Sequence, residues 1–125
     1  MFKLNVVSHF SAAHKLNGYD GECKNLHGHN WKIRVGINCE ETDQIGMAID
    51  FGVIKEKLNK EVDKLDHKYL NELPSFSEIN PTSENIAKTL FEKLSKSLNI
   101  NDCVVSEVEV WESERASVIY YKKVK

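Results

Sequence analysis

Cys23-Lys-Asn-Leu-His27-Gly28-His29, with His14 upstream in Phe10-Ser-Ala-Ala-His14, gathers three of the chain's five histidines within sixteen residues. Side chains at i and i+2 of an extended strand leave on the same side, so His27 and His29 aim two imidazoles at one point. A third imidazole, His14 on a neighbouring strand, completes a tripod. Three neutral imidazoles suit Zn²⁺ and leave a fourth position for water or substrate, the pattern of a catalytic rather than a structural zinc site. Fe²⁺ or Ni²⁺ fits the same nitrogens. The plain alternative is three unrelated core or surface histidines. Two of them joined by one glycine at the end of an apolar strand favour the metal.

Other residues carry chemistry less decisively. Cys23 reads as a small buried hydrophobe, as a fourth zinc ligand closing a structural site, or as a thiolate base whose pKa is lowered by a nearby cation. Asp66-His67 reads as a helix C-terminus where an imidazole meets the dipole, or as an acid–base dyad in which the carboxylate orients the ring. Glu112 ends an apolar stripe. It is either a surface carboxylate or an anchor for a guanidine-like ligand edge through two parallel hydrogen bonds. Thr82 and Ser83 are explained as helix caps, and their hydroxyls also suit polar ligand atoms. Cys39 and Cys103 read as inert buried thiols within strands.

These residues need elements to hold them. Residues 2–12 alternate, with Phe2, Leu4, Val6 and Phe10 on one face, and read as a strand with His14 in phase just beyond it. Residues 15–26 hold Gly18, Asp20, Gly21 and Asn25 and read as a loop. Residues 27–39 resume alternation, His27, His29, Trp31, Ile33, Val35, Ile37 and Cys39 sharing a face. After a turn at 40–46, Asp50 caps a helix whose stripe is Phe51, Ile54, Leu58, Val62 and Leu65. A polar connection over 70–80 leads to a second helix starting at Pro81-Thr82-Ser83, with Ile86, Leu90, Phe91, Leu94 and Leu98 inward. Val104, Ser106, Val108, Val110 and Glu112 alternate on a third strand, and 118–124 form a fourth. The order ββααββ gives an α+β fold with a four-stranded antiparallel sheet and two helices, a single domain over 1–125. Its two uncovered sheet edges point to a homo-oligomer.

The bulk composition excludes several classes. The chain has 125 residues, 41% hydrophobic and 29% charged, with a formal net charge of −2, so nothing electrostatic favours nucleic acid or an anionic membrane. No apolar run is long enough to span a membrane, and the N-terminus lacks a signal-peptide layout. The three cysteines are odd in number with no paired spacing, which argues against disulfides and for a reducing cytoplasm.

Six stretches in order resemble the 6-pyruvoyltetrahydropterin synthase / 6-carboxytetrahydropterin synthase family across nearly the whole chain: Phe10-Ser-Ala-Ala-His14, Cys23-Lys-Asn-Leu-His27-Gly-His29, Met47-Ala-Ile-Asp50-Phe51, Leu65-Asp-His67-Lys-Tyr-Leu-Asn71, Asn80-Pro-Thr-Ser-Glu-Asn85 and Trp111-Glu112-Ser113. The resemblance implies the tunnelling fold (T-fold), assembled as a hexamer of two stacked trimers with active sites between subunits. It implies His14, His27 and His29 as zinc ligands and Cys23 as catalytic base, with Asp66 and His67 as its partner dyad. Glu112 becomes the anchor of the pterin edge, with Thr82 and Ser83 as helpers. The short Cys-x₃-His-Gly-His spacing is similar to the branch that serves queuosine biosynthesis. That branch converts 7,8-dihydroneopterin triphosphate to 6-carboxytetrahydropterin, acetaldehyde and triphosphate. The pyruvoyl-forming branch, or a folate branch using glutamate (Glu22 adjoins Cys23), is the alternative. A non-catalytic zinc module that binds pterin or a protein, closed by Cys23, is the reading from a different class.

Overall fold

The computed structural model describes residues 1–18, 21 and 25–122. Strand β1 (Phe2–His14) and strand β2 (His27–Cys39) are followed by helix α1 (Phe51–Asp63), helix α2 (Ser83–Leu98), strand β3 (Cys103–Ser113) and strand β4 (Ala116–Tyr121). The four strands form one antiparallel sheet in the order β1-β2-β3-β4. This is the expected ββααββ architecture. Two short 3₁₀ turns, Leu70–Glu72 and Pro74–Phe76, lie in the connection between the helices.

Both helices begin where short-range chemistry says they should. The Asp50 carboxylate accepts the Gly52 N–H, and the Thr82 hydroxyl accepts the Asn85 N–H, each satisfying one of the donors a helix start leaves unpaired. Ile54, Leu58 and Val62 of α1 and Ile86, Leu90, Phe91, Leu94 and Leu98 of α2 are buried against one face of the sheet. That face supplies Val6, Phe10, Trp31, Ile33, Val35, Ile37, Val108 and Val110. Phe51, assigned by periodicity to the stripe of α1, is exposed.

The opposite face is polar. Arg34 donates from Nε to Glu109 (3.0 Å) and from Nη1 to Asn5 (2.6 Å), and it also pairs with Glu107, which Lys3 approaches from β1. Gly36 sits beneath this network. A Cβ there would lie 2.9 Å from Glu107 Cγ and 3.0 Å from Arg34 Nη1, so a side chain at this position would push the network aside.

Three expectations are corrected. The β2–β3 register shifts between Gly36 and Ile37, so Glu107 faces Gly36 while Val105 faces Ile37. The extra residue of this bulge, Ser106, resets the alternation. Cys103 and Val105 point inward and Val104 outward, not Val104 and Ser106 inward. Second, β4 (Ala116–Tyr121) begins two residues before the expected start at 118, because the hairpin after Ser113 is tight; residues 123 and 124 of the expected strand lie outside the described residues. Third, Cys39 and Cys103 are not separate thiols. They sit directly opposite in the β2–β3 register with Cα atoms 4.2 Å apart and are joined as a disulfide. Cysteine usage therefore no longer argues for a reducing compartment. Among the described residues, no helix is long and apolar enough to cross a membrane.

Candidate active site

The pairing of β1 with β2 puts His14 opposite His27 and Ala12 opposite His29. His14 thus belongs to the strand rather than lying just past it. All three rings gather at one end of the sheet, on its helix-covered face. The ring centroids of His14–His27, His27–His29 and His14–His29 are 4.5, 4.7 and 5.2 Å apart. Trp31, fully buried, forms the floor, its ring 5.1 Å from His14 and 5.2 Å from His29.

The far nitrogens of two rings are fixed by main-chain carbonyls. His14 Nδ1 lies 2.7 Å from the Pro81 carbonyl, and His27 Nδ1 lies 2.7 Å from the Asn25 carbonyl. A carbonyl only accepts, so each Nδ1 carries a proton, and such a ring when neutral turns an Nε2 lone pair inward. Those two Nε2 atoms are 3.0 Å apart. Two facing lone pairs at that distance repel unless a cation lies between them. On the third ring, His29 Nε2 is buried and makes no hydrogen bond, although Glu112 Oε1 is 2.9 Å away. Burial lowers the pKa of His14 against the opposing pull of the Pro81 carbonyl. Burial also lowers that of His29 against the pull of Glu112. Both shifts favour the neutral imidazole that a metal requires.

Glu112 completes the group. One ligand atom each from His14, His27, His29 and Glu112 lies within 4.8 Å of all the others. The three nitrogens fit a small divalent ion, two of the rings with their second nitrogens anchored and the third with a buried orphan Nε2, and the Glu112 carboxylate lies beside them where a ligand's N–H edge could also reach it. The sequence singled out Glu112 as a ligand anchor but not as a neighbour of the histidines. Its position depends on the β2–β3 pairing, which no local spacing reveals. Ser83 Oγ donates to Glu112 Oε2 at 3.2 Å, which orients the carboxylate. Thr82 uses its hydroxyl as the α2 cap, 3.1 Å from the Asn85 nitrogen.

Asp66 and His67 lie just past α1 and are tied to β1. Asp66 Oδ1 accepts the Ser11 N–H at 2.9 Å, and the His67 N–H donates to the Ser11 carbonyl at 2.6 Å. Asp66 Oδ2 stands 3.0 Å from His67 Nδ1, the geometry of a carboxylate-oriented imidazole. The Ser11 N–H, followed by His67, holds the Asp66 carboxyl below its usual range. His67 is exposed and adopts φ 58°, a left-handed conformation that costs a non-glycine residue and is kept where surroundings enforce it. Ser11 also borders an open depression of about 280 Å³ lined by Ala12, Ala13, Gly28, His29 and Asn30. The pair is thus tied to β1 at Ser11, three residues before His14, and His67 is not among the four clustered donors. Cys23 lies outside the described residues.

With this geometry in view, the kinship is plain. The family described as 6-pyruvoyl tetrahydropterin synthase matches residues 3–123. The chain belongs to that family. The 6-carboxy-5,6,7,8-tetrahydropterin synthase of Synechocystis is 40% identical over 70% of this chain and 70% of its own. The 6-pyruvoyl tetrahydrobiopterin synthase of Dictyostelium discoideum is 37% identical over 80% of this chain and 73% of its own. The solved 6-pyruvoyl tetrahydropterin synthase of Caenorhabditis elegans superposes with a TM-score of 0.87 at 29% identity, covering 98% of this chain and 96% of that one. The fold is the tunnelling fold of this family, and the chain is an enzyme, a tetrahydropterin-synthase lyase.

Within this tetrahydropterin-synthase fold, several site residues gave no signal in the sequence. Pro81 and Asn25 act only through their carbonyls, which residue type does not encode. Trp31 was legible as an inward strand residue, but its place beneath two imidazoles needed the β1–β2 register.

Proposed function

We propose that the chain is a zinc-dependent 6-carboxy-5,6,7,8-tetrahydropterin synthase of queuosine biosynthesis. It would act on 7,8-dihydroneopterin triphosphate and release 6-carboxytetrahydropterin, acetaldehyde and triphosphate. The observation that carries this reading is the pair of inward Nε2 lone pairs 3.0 Å apart, with His29 and Glu112 converging beside them. A divalent ion held by His14, His27 and His29 supplies Lewis-acid polarisation of a ligand oxygen. Cys23 takes a side-chain proton as thiolate. His67, oriented by Asp66, relays protons. Glu112, braced by Ser83, fixes the amino and ring N–H edge of the pterin so that the reacting carbons face the metal end. Thr82 contributes through the helix start. A homohexamer of two trimers, formed through the sheet edges, and a cytoplasmic location complete the proposal.

The pyruvoyl-forming reaction is the second reading, favoured by the Dictyostelium and C. elegans relatives. Product analysis separates the two. Purified zinc-loaded protein incubated with dihydroneopterin triphosphate should release acetaldehyde in step with 6-carboxytetrahydropterin. A 6-pyruvoyl product without acetaldehyde would establish the second reading, and no consumption of substrate would overturn both.

A further inference from the structure

The open face of the sheet carries a pocket that the metal chemistry leaves unused. His9, Lys32 and Trp111 stand side by side in register on β1, β2 and β3. With Asn30, Ser113 and Glu114 they line a cavity of about 370 Å³. The alternation that sends Phe10, Trp31, Ile33 and Val110 into the core turns His9, Lys32 and Trp111 outward, away from the histidine cluster.

The cations of this face are not all matched. Lys3 and Arg34 are taken up by Glu107 and Glu109. Among the described residues no carboxylate pairs with Lys32, whose Nζ stands 4.5 Å from the centre of the Trp111 ring. An ammonium resting on an aromatic face is held in place without committing its N–H donors to an acceptor. Its neighbours are biased the same way. Ser11 Oγ donates to Asn30 Oδ1 at 2.7 Å, which leaves the Asn30 Nδ2 hydrogens to donate. The Ser113 hydroxyl oxygen accepts the Arg115 N–H at 3.2 Å, which leaves its own proton to donate. His9 adds a ring nitrogen, and Glu114, exposed at the turn, is the carboxylate among the lining residues. Donors gathered around a lysine suit the oxygens of a phosphoryl group.

We propose that this pocket binds a phosphoryl oxyanion through Lys32, Asn30 and Ser113. Such an anion has two sources, the triphosphate tail of the proposed substrate or free phosphate. Asn30 also lines the depression that His29 borders, so pocket and metal end share a wall residue. Binding of the oxyanion stands without the functional reading; its assignment to a substrate tail rests on that reading.

The test is a titration of full-length, zinc-loaded protein with inorganic phosphate, followed by tryptophan emission. The chain has two tryptophans. Trp111 lies under Lys32 and reports the pocket, and Trp31 lies under His14 and His29 and reports the metal end. Phosphate should change the emission saturably, and Trp111→Phe, which keeps an aromatic face, should remove the change. Lys32→Gln should weaken binding about tenfold or more, the effect of losing one charge-assisted hydrogen bond. Glu114→Gln should tighten it about twofold by removing an exposed like charge, a gain that misfolding cannot produce. Lys64→Gln, which removes an equal charge where Lys64 meets Glu61, should leave affinity unchanged. An emission change that survives in Trp111→Phe would put the anion at the metal end and overturn the proposal. So would equal affinities in Lys32→Gln and Lys64→Gln, or no saturable change in the wild type. Turnover of dihydroneopterin triphosphate separates the sources. Phosphate competing with substrate, and a KM raised about tenfold in Lys32→Gln with kcat held, would assign the pocket to the substrate's tail. Phosphate binding without competition would assign it to a free anion. If the wild type is inactive on this substrate, the functional reading falls, and the phosphate titration still decides the pocket.

Discussion

His14 and His27 each commit the Nδ1 proton to a main-chain carbonyl, and this settles what their other nitrogens can do. With both rings neutral, neither Nε2 has a proton to offer the other across 3.0 Å, and a cation between them relieves the repulsion of the two lone pairs. His27→Gln should therefore weaken zinc binding by more than about 10²-fold, because loss of an outer-shell partner alone costs about 10–100-fold. Competition with a chromophoric chelator measures this directly, and an unchanged affinity would mean the rings do not share an ion. Cys23 makes the complementary case. If it is the base, Cys23→Ala should cut turnover by roughly 10²–10⁴-fold, the usual contribution of a positioned acid or base, while zinc per chain stays at the wild-type level. If zinc departs with the thiol, Cys23 is a ligand and the site is a closed, structural one.

The elements show why some of this was readable in the sequence and some was not. Helix starts depend on chemistry within four residues, and Asp50 and Thr82 cap where periodicity placed the helices. The separate roles of Thr82 and Ser83 needed the structure: one hydroxyl caps α2 and the other reaches Glu112. Thr82→Ala should lower stability by about 1 kcal/mol, as loss of a threonine cap does, with KM unchanged. Urea unfolding and steady-state kinetics on the same preparation check both halves. His27 and His29 were legible because alternation is local. The inward set of β3 was not, because the bulge at Ser106 answers to Gly36 and Ile37 on another strand. The Cys39–Cys103 disulfide escaped for the same reason, its partners lying 64 positions apart and meeting only through sheet register.

At the scale of the whole molecule the open face of the sheet and its two edges remain. On that face Lys3, Arg34, Glu107 and Glu109 tie β1, β2 and β3 together. Lys3 and then Arg34 hold the Glu107 carboxyl below its usual range, against the effect of burial. The folded chain thus binds that proton less readily than the unfolded one. The stabilisation is complete above the ordinary carboxylate pKa and is lost as pH falls through the lowered folded value. Glu107→Gln should be less stable than wild type by roughly 1 kcal/mol near pH 7, and the gap should close in acid; a gap constant with pH would remove the ion pair as its cause. The edges lead further. The segment after α1 covers β1 from Ser11 to Ala13, while the start of β1 leaves Phe2 and Val7 exposed. At the other edge β4, Ala-Ser-Val-Ile-Tyr-Tyr, has no charged residue, and Ile119 and Tyr121 are exposed. Unpaired strand edges are normally guarded by charge, proline or brevity; an apolar, uncharged edge strand is built to meet another strand. Sedimentation at micromolar concentration should therefore show a multiple of the chain, six by the proposed assembly, with thermal stability rising with protein concentration as subunit linkage requires. Ile119→Lys, which puts a charge on that edge, should shift the protein to smaller species while its far-ultraviolet circular dichroism stays that of the folded chain. A wild-type monomer would mean that these edges stay open and that the active site is complete within a single subunit.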